Sequence, residues 1–337
     1  MNIINKESYK ILPYGITVIK TWPEDCFLFS LLSDTRCGNN WIADSNIQII
    51  LTHDIVRYFP LKKQHLFQNG FDFIPFIHKY AIDRKLLYSI NENFRDIIIK
   101  SIDAGFYISG LFNRQALLGD GSEDINHVSY IYGYDENENV VYMNDNFFHG
   151  VNSRQRIPFD RVQKAFETAL SGNPAHLGNR VINFYELNAD MEYQLSKEKI
   201  KKGMTDYLNG TCDGEHRDNA YTFFGIKAYE RLIRVVENND DHDIDLRNVT
   251  FLCDIAQVNK IRTAAMIHSG LFETGIQNLS QNIDRQIEAS ELMVGLAMKY
   301  NAKKDVSILH RLAVLIKEFG QTEEAIADNI VRLSSCE

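Results

Sequence analysis

Asn126-His127-Val128-Ser129-Tyr130-Ile131-Tyr132-Gly133-Tyr134 is the stretch on which the fold turns. It is crowded with β-branched and aromatic residues, which suit a pleated, half-buried surface. The polar run Asp135 to Asn139 follows. Val140-Val141-Tyr142-Met143 then returns to strand-type residues and closes at Asn144-Asp145. Two such runs around a polar turn predict an antiparallel hairpin. His127 enters the first strand and Asp145 ends the second. Because side chains alternate between the faces of a strand, Asn144 and Asn146 point away from the side that Asp145 takes. Only one set can face His127, and Asp145 is the candidate.

Working towards the N-terminus, Pro23-Glu24-Asp25 stands directly before the apolar run Cys26 to Leu32. Proline and acidic residues ahead of an apolar run mark a helix start. Cys26 therefore falls in the first turn, with Leu28, Leu31 and Leu32 as a buried stripe. A free thiol, with a pKa near ~8.5, supplies little thiolate at neutral pH. A helix N-terminus stabilises negative charge, and a neighbouring imidazolium lowers the thiol pKa further. The imidazole then serves as acid and base, and a third polar group fixes its tautomer. Cys26, His127 and Asp145 can fill these roles as nucleophile, base and orienting acid. Cys37, beside Gly38, is the rival nucleophile.

The remainder of the first half mixes element types. Ile16 to Ile19 is expected as a short strand, Asn93 to Asp103 as a helix ended by Gly105, and Phe106 to Phe112 as a buried strand. Ile47 to Tyr58 suits either a helix or a strand. Beyond about residue 186 helical signals take over: Ala220 to Val236, Val249 to Gly270, Gln277 to Tyr300, Val306 to Phe319 and Glu323 to Leu333. The expected fold is α+β. Residues 1–186 form a domain with a small antiparallel sheet packed on the Cys26 helix, and residues 187–337 form an all-α domain.

Composition narrows the function. The formal net charge of the 337 residues is −9, without the basic footprint that nucleic-acid binding needs. No apolar run approaches the roughly 18 residues that span a bilayer, and Met1 to Lys10 is polar, so membrane association is not expected and a cytoplasmic protein is. The five cysteines are irregularly spaced and contain no CxxC pair, which argues against a disulfide framework and a zinc ribbon. Nor is there a Walker A loop, a GxGxxG, an HExxH or a GxSxG. His53, His65 and His78 lack metal-ligand spacing, and His242 among Asp240, Asp241, Asp243 and Asp245 reads as a solvated acidic loop. No cofactor and no metal are expected.

The segment His127 to Asp135 with Val140 to Asp145 resembles the His and Asp strands of papain-like proteins, and within them the butirosin biosynthesis protein H-like family. Asp103-Ala104-Gly105-Phe106-Tyr107-Ile108 is similar to the strand these proteins place before the histidine. Tyr221 to Leu232 resembles the start of their helical C-terminal region. The resemblance implies a papain-like N-terminal domain and an acyltransferase of antibiotic or nonribosomal-peptide biosynthesis. Such an enzyme takes an acyl group from a carrier-protein thioester onto the thiol and passes it to an amine. Asp34-Thr35-Arg36-Cys37-Gly38-Asn39 matches only part of the small-residue stretch that relatives carry after the nucleophile. No glutamine precedes Cys26 to build an oxyanion hole, so the backbone N–H groups of Cys26 and Phe27, with Asp25 and Asn144 beside them, are the oxyanion or substrate candidates. A peptidase, amidase or thioester hydrolase with the same triad, and a binding protein with a degenerate triad, are the alternatives.

Overall fold

The computed structural model describes residues 8–33, 35–58, 70–90, 93–119, 121–148, 151–170, 181–212, 222–239, 241–270 and 277–335. Met1, Asp34, His65, Ala220, Tyr221 and Asp240, quoted above, lie outside them. The fold is mixed α+β, with an antiparallel sheet built from the N-terminal half and long helices in the C-terminal half.

The sheet is seven-stranded and larger than expected. Its order is β4 (Ile77–Asp83), β9 (Val181–Leu187), β5 (Phe106–Asn113), β6 (Asn126–Asp135), β7 (Val140–Phe148), β8 (Val151–Pro158), with β1 (Tyr9–Ile11) also paired to β6. Every pairing is antiparallel. The predicted hairpin is β6–β7, but β7 continues past Asp145 to Phe148, which places the aspartate inside the strand. Register between β6 and β7 shifts at Tyr132. Gly133, just beyond, lets β1 lie close: a Cβ there would sit 2.8 Å from the Lys10 carbonyl oxygen. Ile16 to Ile19, expected as a strand, is irregular; the strand that joins the sheet is β1 instead.

Helix α1 (Pro23–Leu32) forms as the Pro-acidic start predicts, with Glu24 and Asp25 in its first turn. The Phe27 ring anchors it to the sheet. That ring stacks on Tyr130 at 4.0 Å and meets Tyr14, Tyr107 and Tyr185 at 5.6 to 6.0 Å. α4 (Phe94–Asp103), capped by the Asn93 side chain, and α6 (Phe159–Leu170) pack on the sheet through Phe94, which stacks on Phe166 at 4.1 Å and tilts against Phe112 of β5 at 5.8 Å.

The ambiguous Ile47–Tyr58 segment is a hairpin, β2 (Ile49–Thr52) and β3 (Ile55–Tyr58), joined in a separate three-stranded sheet by β10 (Thr222–Phe224). The helix expected from Ala220 therefore begins later, as α8 (Ile226–Glu237). α9 (Leu246–Ser269) and α10 (Gln277–Lys303) follow as predicted. The two helices expected over 306–333 are one, α11 (Val306–Leu333). α2 (Arg36–Ser45) and α7 (Lys197–Asn209) are additional.

The chain divides into two compact units, but not at residue 186. The first comprises 1–17, 22–31 and 74–191, and so holds the large sheet and α1. The second comprises 18–21, 32–73 and 192–337. The core of the second carries a buried polar cluster on α11. Glu323 Oε1 accepts from the Asn259 amide at 2.6 Å and the Gln286 amide at 2.7 Å, and Oε2 accepts from the Tyr207 hydroxyl at 3.2 Å.

Candidate active site

Register builds the site. His127 lies opposite Phe112 of β5, Ser129 lies opposite Gly110, and Tyr130 lies opposite Asn144 of β7. His127, Ser129 and Asp145 therefore share one face of the sheet, and Tyr130 and Asn144 share the other. On the first face, His127 Nδ1 and Asp145 Oδ1 are 2.8 Å apart. A carboxylate only accepts, so Nδ1 carries the hydrogen and Nε2 is left to exchange protons.

Asp145 is held from three sides. Its Oδ2 accepts from the Ser129 hydroxyl at 2.7 Å, and its Oδ1 also accepts from the Asn146 backbone N–H at 2.6 Å. The carboxylate is 3% exposed and the imidazole 33%. One partner is thus buried and fixed while the other reaches solvent, which suits a base with an orienting acid. The hydrogen bond from Asp145 raises the His127 pKa above its ordinary value near 6.5, outweighing burial and the positive charge of Arg114, which both lower it.

Cys26 is the fourth residue of α1, and its side chain is fully buried. The Tyr14 hydroxyl lies near it, with a pKa raised mainly by burial and further by the negative charge a Cys26 thiolate would carry. The Cys26 backbone N–H donates to the Trp22 carbonyl at 2.8 Å. That corrects the oxyanion expectation: the Cys26 N–H is committed to the helix, and α-helical geometry directs the Phe27 N–H to the Pro23 carbonyl in the same way. The Phe27 side chain is core. Asp25 is partly exposed in the first turn.

Asn144 is buried and faces away from the imidazole. It exchanges two amide hydrogen bonds with Asn152 of β8, at 3.0 and 2.9 Å, which tie the two strands together. The rival thiol, Cys37, sits in the first turn of α2 in the second unit, where its Sγ donates to Thr35 Oγ1 at 3.4 Å.

Two residues of the site escaped sequence reasoning. Ser129 follows His127 at the strand period of two, a signal sufficient to place it on the same face. Arg114 follows β5, and no local pattern connects it to residues 127 and 145. Among the described residues no group of three or more His, Cys, Asp or Glu side chains is placed to hold a metal ion, and no helix is long and apolar enough to cross a membrane. No protein-family model matches the chain, and no curated protein matches it.

Proposed function

We propose that the chain is a papain-like cysteine acyltransferase that moves an acyl group from a thioester, such as that of an acyl carrier protein, through an acyl-Cys26 intermediate to an amine. The observation that supports this reading is the His127–Asp145 pair: a half-buried imidazole with its Nδ1 hydrogen held by a buried, triply bonded carboxylate. Cys26 belongs to the same compact unit and to the first turn of a helix. Phe27 of that helix packs on Tyr130, on the face opposite His127. The reading requires the Cys26 thiol to come within hydrogen-bond reach of His127 Nε2.

The chemistry balances without a cofactor. His127 Nε2 takes the Cys26 proton, and the thiolate adds to the thioester carbonyl. Collapse breaks the donor C–S bond, and the departing thiolate takes the proton from His127. The acceptor amine then attacks the acyl group, its proton passes to His127, and the Cys26 sulfur leaves and is reprotonated. Water in place of the amine gives the hydrolase variant.

Intact-mass spectrometry of the protein and of Cys26→Ala, incubated with a panel of acyl-thioesters, tests the reading. An acyl adduct on the parent that is absent from the variant is expected. Release of free acid without an amine points to the peptidase, amidase or thioester-hydrolase alternative. The full burial of Cys26 favours a second reading, a papain-like binding protein without turnover. It predicts no adduct, no hydrolysis, and alkylation of Cys26 by iodoacetamide no faster than that of an ordinary thiol.

A further inference from the structure

Arg114 opens the short helix α5 (Arg114–Leu118), directly after β5. Its main-chain N–H donates to the Ile125 carbonyl at 2.8 Å, and Ile125 is the residue before β6 and two before His127. Its guanidinium reaches the other strand of the site. One amino group donates to the carbonyls of Asn146, at 3.2 Å, and Phe147, the two residues that follow Asp145 on β7. A single residue thus grips the start of the histidine strand and the continuation of the aspartate strand. The fork divides its work, one amino group serving both carbonyls while the other faces Glu123 at 4.0 Å, which a point-like ammonium cannot do equally well.

The neighbouring residues reinforce the clamp. Asn113 caps α5 by accepting from the Ala116 N–H at 2.9 Å, and its amide donates to Asp124 at 2.8 Å and to Asn126 at 3.5 Å. The loop before His127 is therefore tied to the end of β5 by both residues. The charged groups that act on the imidazole are Asp145 from β7 and Arg114 from α5; in the loop ahead of β6, Glu123 lies 4.0 Å from Arg114 and Asp124 accepts from the Asn113 amide. Arg114 opposes Asp145 electrically as well, since its charge disfavours the imidazolium that Asp145 favours.

We propose that Arg114 is the positioning residue of the His127–Asp145 pair, its main chain holding Ile125 ahead of His127 and its guanidinium holding the Asn146 and Phe147 carbonyls beyond Asp145. The inference rests on the acyl-transfer reading of that pair. A residue that only stabilised the fold would not move the titration of His127, and this distinction makes the proposal testable.

The experiment is an NMR titration of His127 in the full chain, assigned by difference from His127→Gln. It covers the parent, Arg114→Gln, Arg114→Lys and Asp145→Asn, and the Cys26 alkylation rate is followed across pH in each. Arg114→Gln is expected to move the His127 midpoint up by about half a pH unit, the scale of one unit charge several ångströms away at a partly exposed site. Arg114→Lys keeps the charge, so its midpoint is expected to stay within about 0.2 of the parent's, while alkylation slows roughly three- to tenfold because the fork is lost. An unmoved midpoint in Arg114→Gln, with a midpoint lowered in Asp145→Asn, overturns the electrostatic role. An unchanged alkylation rate in Arg114→Lys overturns the clamp. If Asp145→Asn leaves the midpoint unmoved as well, the His–Asp pair itself fails, and with it the acyl-transfer reading. Should Arg114→Gln not fold, Arg114→Lys against the parent still decides the clamp, and Arg114→Met supplies the charge comparison.

Discussion

Two buried carboxylates, at the scale of single residues, both make stability fall as pH rises, but over different windows. Asp145 raises the pKa of His127 through their hydrogen bond. A raised histidine stabilises the native state fully below its unfolded pKa near ~6.5 and loses that stabilisation as pH rises through the native value. Urea denaturation should therefore show a larger loss of stability in Asp145→Asn relative to the parent at pH 5.5 than at pH 8.5; an equal loss at both would show that the pair does not titrate as a unit. Under the acyl-transfer reading the same variant, which lets the imidazole settle in the wrong tautomer, should lower turnover by about 10³- to 10⁴-fold. Asp254 of α9 acts in the same direction at lower pH. It accepts from the backbone N–H groups of Lys20 at 2.9 Å and Thr21 at 3.0 Å, and burial pushes its pKa up to about 7. Here the native state holds a proton that the unfolded chain releases near ~3.9. Stability attributable to Asp254 is present at acid pH and falls as pH rises towards 7. Asp254→Asn should flatten that part of the profile of melting temperature against pH, and an unchanged slope between pH 5 and 7 would refute it.

Elements show where local pattern sufficed and where partners decided. The β6–β7 hairpin was legible because its residues alternate and its turn is polar, and with it came the pairing of His127 with Asp145. α1 was legible from Pro23-Glu24-Asp25. The β2–β3 hairpin was not. Its turn, His53-Asp54, adopts φ of +49° and +60° without a glycine or an asparagine to announce it. Contacts distant in sequence hold it there: Arg231 pairs with Asp54 at 2.7 Å, and the Asn248 amide donates to the Asp54 carbonyl at 2.7 Å and accepts from the Val56 N–H at 3.0 Å. α11 runs through Gly320, where two shorter helices were expected over 306–333. A Cβ at that position would approach the Tyr229 ring of α8 to 3.2 Å. β4 and β9 pair across some hundred residues of chain, which no local periodicity reveals. What fixes α1 to the sheet is likewise tertiary, the tyrosine cage around Phe27. Phe27→Ala should cost about 3–5 kcal/mol of unfolding free energy in urea, because a ring is removed from a close-packed site that collapses only in part. A loss under about 1 kcal/mol would mean that the cage does not anchor the helix.

For the whole molecule, the order of the chain matters more than its two halves. The chain passes from one compact unit to the other at 17/18, 21/22, 31/32, 73/74 and 191/192. The boundary read from composition, near 186, marks only the last of these crossings. Residues 32–73 are structural parts of the helical unit. Arg262 on α9 is buried, and it donates through Nε to the Ala43 carbonyl at 2.9 Å and through a second nitrogen to the Asn46 carbonyl at 2.7 Å. The Tyr193 hydroxyl donates to Asp44, and β10 pairs with β2. A chain of residues 187–337 alone would leave the buried Arg262 guanidinium without those two carbonyls, with Asn259 as its remaining side-chain acceptor, and would expose the edge of β10. Each orphaned buried donor costs about 1–3 kcal/mol, more where it is charged, against a total stability of about 5–15 kcal/mol. Expressed alone, residues 187–337 should therefore keep helical far-ultraviolet dichroism, since long amphipathic helices persist in loosely packed states, but bind a hydrophobic dye and unfold without a cooperative transition. Addition of residues 32–73 through a flexible linker should restore cooperativity, because it returns the carbonyls and strand β2 that the helices lack. A sharp two-state transition in 187–337 by itself would instead establish the C-terminal half as an autonomous domain, with the hairpin and α2 as appendages.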